Sequence, residues 1–422
     1  MSYIGRLIHQ DNIKPYGIDY DKVNDKIHRI GDTKGHIYLP VQSQMKGVIL
    51  DDSGNEVLEL PQDDWTSVAR DGSLGQVMVR IPDHWMKFET RQNNTINRVW
   101  LSHVPKNGFI HIPKYYVSAY EASLQRSTNK LSSVVNTTTD YRGGNNQSAW
   151  DGTYRSLLGM PATNINLTNF RTYARNRNNG DTRWNAYPYF LHRDLYWLFA
   201  VEYASFNSQA AFTAVRTVEG YHQGGLGAGV TNWNDTDWNN YNGRYPIVPC
   251  GYTDNLGNGT GVKSLAVKDA NNSTLVTVSV PRYRGIENPF GHIWKWTDGA
   301  LVDVISGSSG TSAVYACSRP SLFSSTSYSN YRSVGNEARS NGYVKEIHFG
   351  QYGDITAKNV GGSANTYYHD YHYGNIYSTS LRGLLFGGDA DIGARAGLVY
   401  SYSYNVPTST LPYVGSRLCF IP

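Results

Sequence analysis

Residues 365–422 read NTYYHDYHYGNIYSTSLRGLLFGGDADIGARAGLVYSYSYNVPTSTLPYVGSRLCFIP, and two kinds of sequence alternate in this stretch. Short apolar runs bounded by glycine lie at 381–388, 396–399 and 415–420, and such runs are typical of buried strands. The segments between these runs are polar, and nine tyrosines fall between positions 363 and 413. This pattern predicts a rigid frame that carries a polar, tyrosine-rich segment.

The tyrosines have two interpretations. With Ser, Gly and Asn around it, Tyr is typical of recognition surfaces, because its ring gives a large rigid contact area at low entropic cost. The alternation Tyr-Ser-Tyr-Ser-Tyr at 400–404 also fits one half-buried strand of an ordinary β-domain. Composition alone leaves both interpretations open.

The whole chain of 422 residues is low in charge, with 17% charged residues, 42 Gly and 33 Tyr. Hydrophobic residues reach 40%, which indicates an ordered protein, rich in strands and loops. The net charge of +4 comes from scattered Lys and Arg, so we expect no nucleic-acid partner.

Several classes of protein are disfavoured by what the sequence lacks. Residues 1–6 have no apolar core of a signal peptide, and no apolar run is long enough to span a membrane. Three cysteines lie far apart at 250, 317 and 419, so we expect neither a zinc site nor a disulfide framework. We therefore expect a protein made in the cytoplasm, with no cofactor, bound metal or membrane insertion, that leaves the cell at lysis as part of a virion.

Residues 1–110 predict a small β-rich region for mounting and oligomerisation. The sequence predicts a hairpin of 48–50 with 57–60, and a second strand, turn and strand unit at 85–101. Further strands are expected at 37–41 and 76–81.

Residues 111–422 predict a second region with two helices, one at 167–176 and an amphipathic one at 191–206. Glu202 lies on the apolar stripe of the second helix, where we expect a structural partner rather than a catalytic role. A strand at 274–280 precedes an aromatic strand at 293–296.

Two loops contain residues of the kinds found in nucleotide-binding and calcium-binding sites. The glycine run at 224–229 lacks the Lys-Ser/Thr of a phosphate-binding loop, so nucleotide binding is disfavoured. Trp233, Asn234 and Asp235 offer oxygen ligands suited to calcium, but an Asx-turn loop pinned by two tryptophans is the favoured interpretation.

The order of several motifs resembles the formylglycine-generating-enzyme branch of the C-type lectin fold. The matching pieces are Val117 to Glu121, the two helices, and residues 291–296, 381–388 and 415–417. This resemblance implies an α+β fold, with a C-type-lectin domain at 111–422 after the β-rich residues 1–110. Two departures imply that the enzyme chemistry is absent: Cys419 has no evident partner, and Trp294-Lys295-Trp296 stands where the enzymes have Trp-Glu-Trp. We therefore expect no catalytic residues.

The chain is more closely similar to the variable proteins of diversity-generating retroelements. In phage members of that family, the lectin-fold domain is the receptor-binding tip of a tail fibre, and adenine-specific mutagenesis rewrites chosen codons. The resemblance implies a variable region at about 363–420, a homotrimer, contacts with other tail or fibre proteins, and a bacterial surface protein or glycan as receptor. The candidate ligand contacts are Tyr367, Tyr368, His369, Asp370, Tyr371, His372, Asp389, Asp391, Ile392, Tyr400, Tyr402, Tyr404, Asn405, Thr408, Thr410 and Leu411.

Three other functions remain as alternatives. A calcium-dependent lectin would use residues 233–235, and a tail-borne glycan depolymerase would need a carboxylate pair, for which Asp389 and Asp391 are candidates. A purely structural fibre or pilus protein would not need so irregular a tyrosine-rich segment.

Overall fold

The chain folds mainly into β-strands. The computed structural model describes residues 13–422 and is 35% strand and 14% helix. The predicted α+β fold is therefore wrong, and the fold is β-rich. The two helices are clear in the sequence, whereas many strands of the second half are not. Those strands are short, rich in Tyr and Gly, and have no long apolar alternation. Residues 1–6, which carry the signal-peptide prediction, lie outside the described residues.

The strands of the described residues are numbered in chain order. Those of the first half are β1 Tyr16–Asp21, β2 Lys26–Gly31, β3 Lys46–Leu50, β4 Glu56–Glu59, β5 Gln76–Ile81, β6 His84–Arg91, β7 Ile96–Ser102, β8 Ile110–Ile112, β9 Tyr115–Ser118, β10 Ser123–Gln125, β11 Lys130–Ser132 and β12 Trp184–Ala186. Those of the second half are β13 Gly261–Lys268, β14 Thr274–Tyr283, β15 Ile286–Glu287, β16 Trp294–Val304, β17 Ser312–Ala316, β18 Arg332–Asn336, β19 Gly342–Ile347, β20 Ala357–Val360, β21 Tyr371–Gly374, β22 Ser380–Gly387, β23 Gly397–Ser403, β24 Val414–Gly415 and β25 Leu418–Phe420.

Four α-helices accompany these strands in the described part of the chain. They are α1 Thr33–Tyr38, α2 Leu167–Arg175, α3 Tyr189–Tyr203 and α4 Asp235–Asn242. The two predicted helices are confirmed as α2 and α3. The side chain of Asn166 caps α2 by accepting the Asn169 N–H at 2.8 Å.

The predicted hairpins are also confirmed, since β3 pairs with β4 and β6 pairs with β7. The strand predicted at 37–41 is wrong. Ile37 and Tyr38 end α1, which Asp32 caps through the Lys34 N–H, and the chain leaves the helix at Leu39 with a φ of 47°. Local apolar letters could not distinguish these two structures, because the segment is too short for a period to show.

Most strands belong to three larger sheets, whose strand orders are β2-β1-β7-β6-β8, β12-β25-β9-β5-β3-β4 and β18-β17-β16-β22-β23-β21-β19-β20, with β24 added beside β16 in the last. In the second of these, β5 pairs with β9, and β9 pairs with the last strand, β25. This sheet therefore joins residues from both sides of position 110. The division into regions 1–110 and 111–422 stays a prediction.

Helix α3 lies at the centre of the molecule, in contact with β16 of the largest sheet and β7 of the sheet built around β1. The amphipathic helix expected there is instead buried nearly all round, because protein covers both of its sides. Glu202 on this helix is fully buried and pairs with Arg284 at 2.6 Å, and the Tyr283 hydroxyl donates to it at 3.0 Å. The structural partner predicted for Glu202 is thereby confirmed.

Candidate functional site

Five tyrosines lie side by side on β21, β23 and the residue after β23. We call Tyr371, Tyr373, Tyr400, Tyr402 and Tyr404 the tyrosine face. β21 runs parallel to β23, with Tyr373 in register with Tyr402. Side chains alternate between the two sides of a strand. Tyr371 and Tyr373 of β21 therefore point to the same side of the sheet as Tyr400 and Tyr402 of β23.

The rings of the tyrosine face form a row of two contacting groups. Tyr371 meets Tyr400 edge-on with ring centroids 5.8 Å apart, and Tyr373 stacks on Tyr402 at 5.4 Å. Tyr404 lies 5.7 Å from Tyr373 and 6.0 Å from Tyr402. Exposure rises along the row, from 1% at Tyr400 to 37% at Tyr404, with the other three half-buried. The row is therefore anchored at one end and open to solvent at the other.

Aromatic side chains from other strands support the row from below and beside. Trp294 of β16 meets Tyr400 at 4.6 Å and Tyr402 at 4.8 Å. Tyr343 of β19 meets Tyr371 edge-on at 5.2 Å, and the Arg395 guanidinium lies 5.6 Å from the Tyr371 ring centroid. These contacts fix ring positions before any ligand arrives, which lowers the entropic cost of binding.

The opposite side of β23 is buried and polar. Ser401 shares a 2.9 Å hydrogen bond with Nδ1 of His372, and the Ser403 hydroxyl donates to Glu337. Burial raises the pKa of Glu337 to about 8 and lowers that of His372 to about 4, so both groups are largely neutral near pH 7. The Tyr-Ser alternation thus gives one strand with an aromatic outer side and a hydrogen-bonded inner side.

The other sequence candidates are spread over several places. Five of the sixteen are buried, and their side chains are not offered to a ligand: Tyr368, Asp370, His372, Asp389 and Tyr400. Tyr368 stacks on Phe206 at 4.8 Å, and Asp370 accepts the Val399 N–H at 2.7 Å. Eleven candidates are half-buried or exposed: Tyr367, His369, Tyr371, Asp391, Ile392, Tyr402, Tyr404, Asn405, Thr408, Thr410 and Leu411.

Two tyrosines of the same cluster were absent from the candidate contacts. Tyr373 lies within the row, and Tyr413 packs with Leu411 in the hydrophobic cluster that also contains Tyr402. The period of two could have found Tyr373, since it is two positions after Tyr371. Nothing local in the sequence marks Tyr413, which is brought there by the pairing of β24 with β16.

Asp389 and Asp391, the candidate carboxylate pair, lie near each other, and Asp389 is buried beside Trp294. Burial and the neighbouring Asp391 carboxyl raise the pKa of Asp389 well above its usual range. Glycosidases need their two carboxyl groups about 5–9.5 Å apart, so that the sugar or a water fits between them. Repulsion from the neighbouring Asp391 carboxyl adds to burial in favouring the protonated form of Asp389.

A buried ionic cluster lies where three of the motif segments meet. Glu121 places one carboxylate oxygen 2.8 Å from Lys295 Nζ and the other 2.7 Å from His292 Nδ1. Arg417 donates from the same region to the carbonyls of Ser118 and Asn288. Burial alone would raise the pKa of Glu121, but Lys295, His292 and Arg417 outweigh it and lower that pKa to about 2. This cluster has no route to solvent, and it holds β9, β16 and β25 together.

The calcium and thiol alternatives can be compared with the geometry. Asp235 is engaged by Arg244 at 2.6 Å, and Asn234 caps α4 through the N–H groups of Thr236 and Asp237. No group of three or more His, Cys, Asp or Glu side chains in residues 13–422 could hold a metal ion. All three cysteines are free and buried, and burial raises the pKa of the Cys419 thiol. Within the same residues, no helix is long and apolar enough to cross a membrane.

Comparisons with known proteins give a distant likeness. No protein-family model and no curated protein sequence matches the chain. Two solved structures, titled Major Tropism Determinant M1 Variant and Major Tropism Determinant U1 Variant, are each similar to it at 10% identity and a TM-score of 0.25. Each alignment covers 89% of this chain and 81% of the other. No correspondence between individual residues follows from them.

Proposed function

We propose that the tyrosine face binds a receptor, protein or glycan, on the surface of a bacterial cell, and that the chain acts as an attachment protein of a phage or prophage. The observation that carries the proposal is the row of tyrosine rings that ends in solvent at Tyr404. Tyrosine offers an apolar face for stacking on a sugar or side chain and a hydroxyl for hydrogen bonds, so such a row suits both kinds of receptor.

The proposal is for binding without catalysis. It is supported by the burial of Asp389, which is 4% exposed and is not offered to a sugar. The test is to incubate the protein with capsular polysaccharide from a bacterial strain that it binds, and to measure new reducing ends. Release of reducing ends that depends on Asp389 would overturn it.

Cell binding can be measured directly. The fluorescently labelled protein is screened by flow cytometry against a panel of bacterial strains, and a bound strain is used to compare variants. We expect Tyr373→Ala and Tyr404→Ala each to reduce binding about tenfold or more, in the range of interface hot spots. Tyr38→Ala removes a tyrosine that is 70% exposed elsewhere on the molecule and serves as the matched control. Equal binding by all three variants would contradict the proposal.

We also propose that a retroelement diversifies the accessible residues of this segment. This proposal is supported by the buried inner side of β23, where Ser401 bonds to His372 and Ser403 bonds to Glu337, so that the strand does not depend on its more exposed outer rings alone. The test is the neighbouring DNA. We expect a reverse-transcriptase gene and a near-copy of the segment encoding residues 365–420 that differs at adenines; a locus with neither would refute this part alone.

We also propose a homotrimer mounted on other tail or fibre proteins in the virion, since several weak sites on one fibre bind more tightly by avidity. Sedimentation equilibrium of the purified protein tests the oligomer. A monomer at all concentrations would refute it.

A further inference from the structure

A second surface, which begins on the neighbouring strand β19 and does not include the tyrosine face, has the features of a binding groove. Two adjoining cavities of about 430 and 480 Å³ lie between the turns after β1 and β6 and the β19–β20 hairpin. Both are lined by Lys22, Asn94 and Glu346, so they form one groove. Each volume falls in the range of small-molecule sites. We call this surface the lysine groove.

The lysine groove carries an excess of positive charge. Its lining includes Lys22, Lys345 and Lys358, against the single carboxylate of Glu346. Lys358 lies 3.6 Å from Glu346, and Asn359 donates to the same carboxylate at 2.6 Å. Within the described residues, Lys22 has no ion-pair partner closer than 4 Å, so two positive charges stay uncompensated.

Neighbouring groups do not remove this excess. Asp25 lies beyond the lining, where its carboxylate accepts from the Tyr20 hydroxyl and the Tyr367 N–H at 2.9 and 2.8 Å. When its charge is counted with that of Glu346, the three lysines are still in excess. Burial lowers the pKa of His348, which is therefore neutral. The pKa of Lys22 is lowered by burial, an effect that Glu346 opposes and Lys358 reinforces. An anion in the groove would relieve the repulsion between Lys22 and Lys358.

The remaining lining indicates the kind of anion. Hydroxyl and amide side chains rim the groove at Thr90, Asn94, Thr95 and Asn359, while Ile347 and Phe349 form part of its floor. Polar rims of this kind can bond sugar hydroxyls, and the half-buried Tyr367 adds an aromatic side chain to the lining. We propose that the lysine groove binds an anionic oligosaccharide that carries carboxylate or phosphate groups.

Calorimetric titration of the full chain tests the proposal with four probes: hexagalacturonate, phosphorylated maltohexaose, neutral maltohexaose and hexa-aspartate. We expect one or both charged saccharides to bind, more weakly as ionic strength rises, and maltohexaose not to bind. Which charged saccharide binds better distinguishes carboxylate from phosphate. Failure of both charged saccharides to bind, or tighter binding of hexa-aspartate, would overturn the proposal.

Variants locate the site. The double variant Lys22→Gln/Lys358→Gln should weaken binding about tenfold, and Glu346→Gln should tighten it a few-fold, because each changes the local charge at partly screened positions. Lys14→Gln/Lys34→Gln makes the same net change at exposed lysines outside the groove and should leave binding unchanged. Equal losses in the two double variants would contradict a local site. Tyr404→Ala should have no effect, which keeps this test separate from that of the tyrosine face.

Discussion

The buried ionic cluster around Glu121 and the tyrosine face differ in charge and in burial. Glu121, His292, Lys295 and Arg417 are at most 2% exposed, and each has a fixed partner. The tyrosine face is neutral, and its rings range from 1% exposed at Tyr400 to 37% exposed at Tyr404. A buried charge tolerates one arrangement only, whereas a partly exposed neutral ring can be replaced at small cost. The difference separates the residues that must stay from those that can vary.

The comparison is tested most strongly at Lys295. Changing Lys295→Met leaves the buried Glu121 carboxylate without its lysine partner, and we expect the free energy of unfolding to fall by about 3–5 kcal/mol. Urea denaturation measures this loss. The double variant Glu121→Gln/Lys295→Met removes both charges and should recover most of the stability. A loss below about 1 kcal/mol in the single variant would show that the cluster is not structural.

The inner side of β23 gives the next largest effect, through Glu337. Its pKa in the folded chain is about 8, far above that of an exposed Glu, so the folded state keeps a proton that the unfolded chain has lost. Stability from this group is therefore complete below about pH 4.5 and is lost as pH rises to about 8. We expect the stability of the wild type relative to Glu337→Gln to fall by about 2–4 kcal/mol over that interval.

Chemical denaturation of both proteins at several pH values measures this difference. Other buried acids contribute equally to the two curves and cancel in the comparison. Parallel curves for wild type and Glu337→Gln would show that Glu337 is solvated and ionised, and that the inner side of β23 is less rigid than proposed.

A substitution at Gly397 tests whether Asp370, which was predicted to be a variable residue, is part of the rigid structure. A Cβ at Gly397 would collide with both carboxylate oxygens of Asp370, which is fully buried. We expect Gly397→Ala to lower the melting temperature, with a loss of about 1–3 kcal/mol. Gly180→Ala, where the added methyl meets nothing within 4 Å at a φ of 89°, reports the cost of backbone strain alone. A smaller loss at Gly397 than at Gly180 would mean that Asp370 can move aside.

These residues also show how far the sequence could predict the structure. The interpretation of Tyr-Ser-Tyr-Ser-Tyr as a half-buried strand is confirmed by β23, while its interpretation as a recognition surface stays a prediction. The helices at α2 and α3 and the hairpins of residues 46–59 and 84–102 follow from local patterns. The burial of Asp370 and Tyr368 could not be predicted in this way, since nothing in the sequence next to a polar residue shows whether it is buried. Nor could the pairing of Glu121 with Lys295, which depends on contacts between distant segments.

The smallest expected change in stability is at the exposed end of the tyrosine face. Tyr404→Ala removes a ring with 37% exposure, and we expect the free energy of unfolding to change by about 0.5 kcal/mol or less. Tyr400→Ala, four positions earlier on the same side of β23, removes a ring with 1% exposure and should cost about 3–5 kcal/mol. Urea denaturation of the pair measures this gradient within one strand. Similar losses at both positions would place Tyr404 in the frame, and the surface free to vary would then have to begin beyond β23.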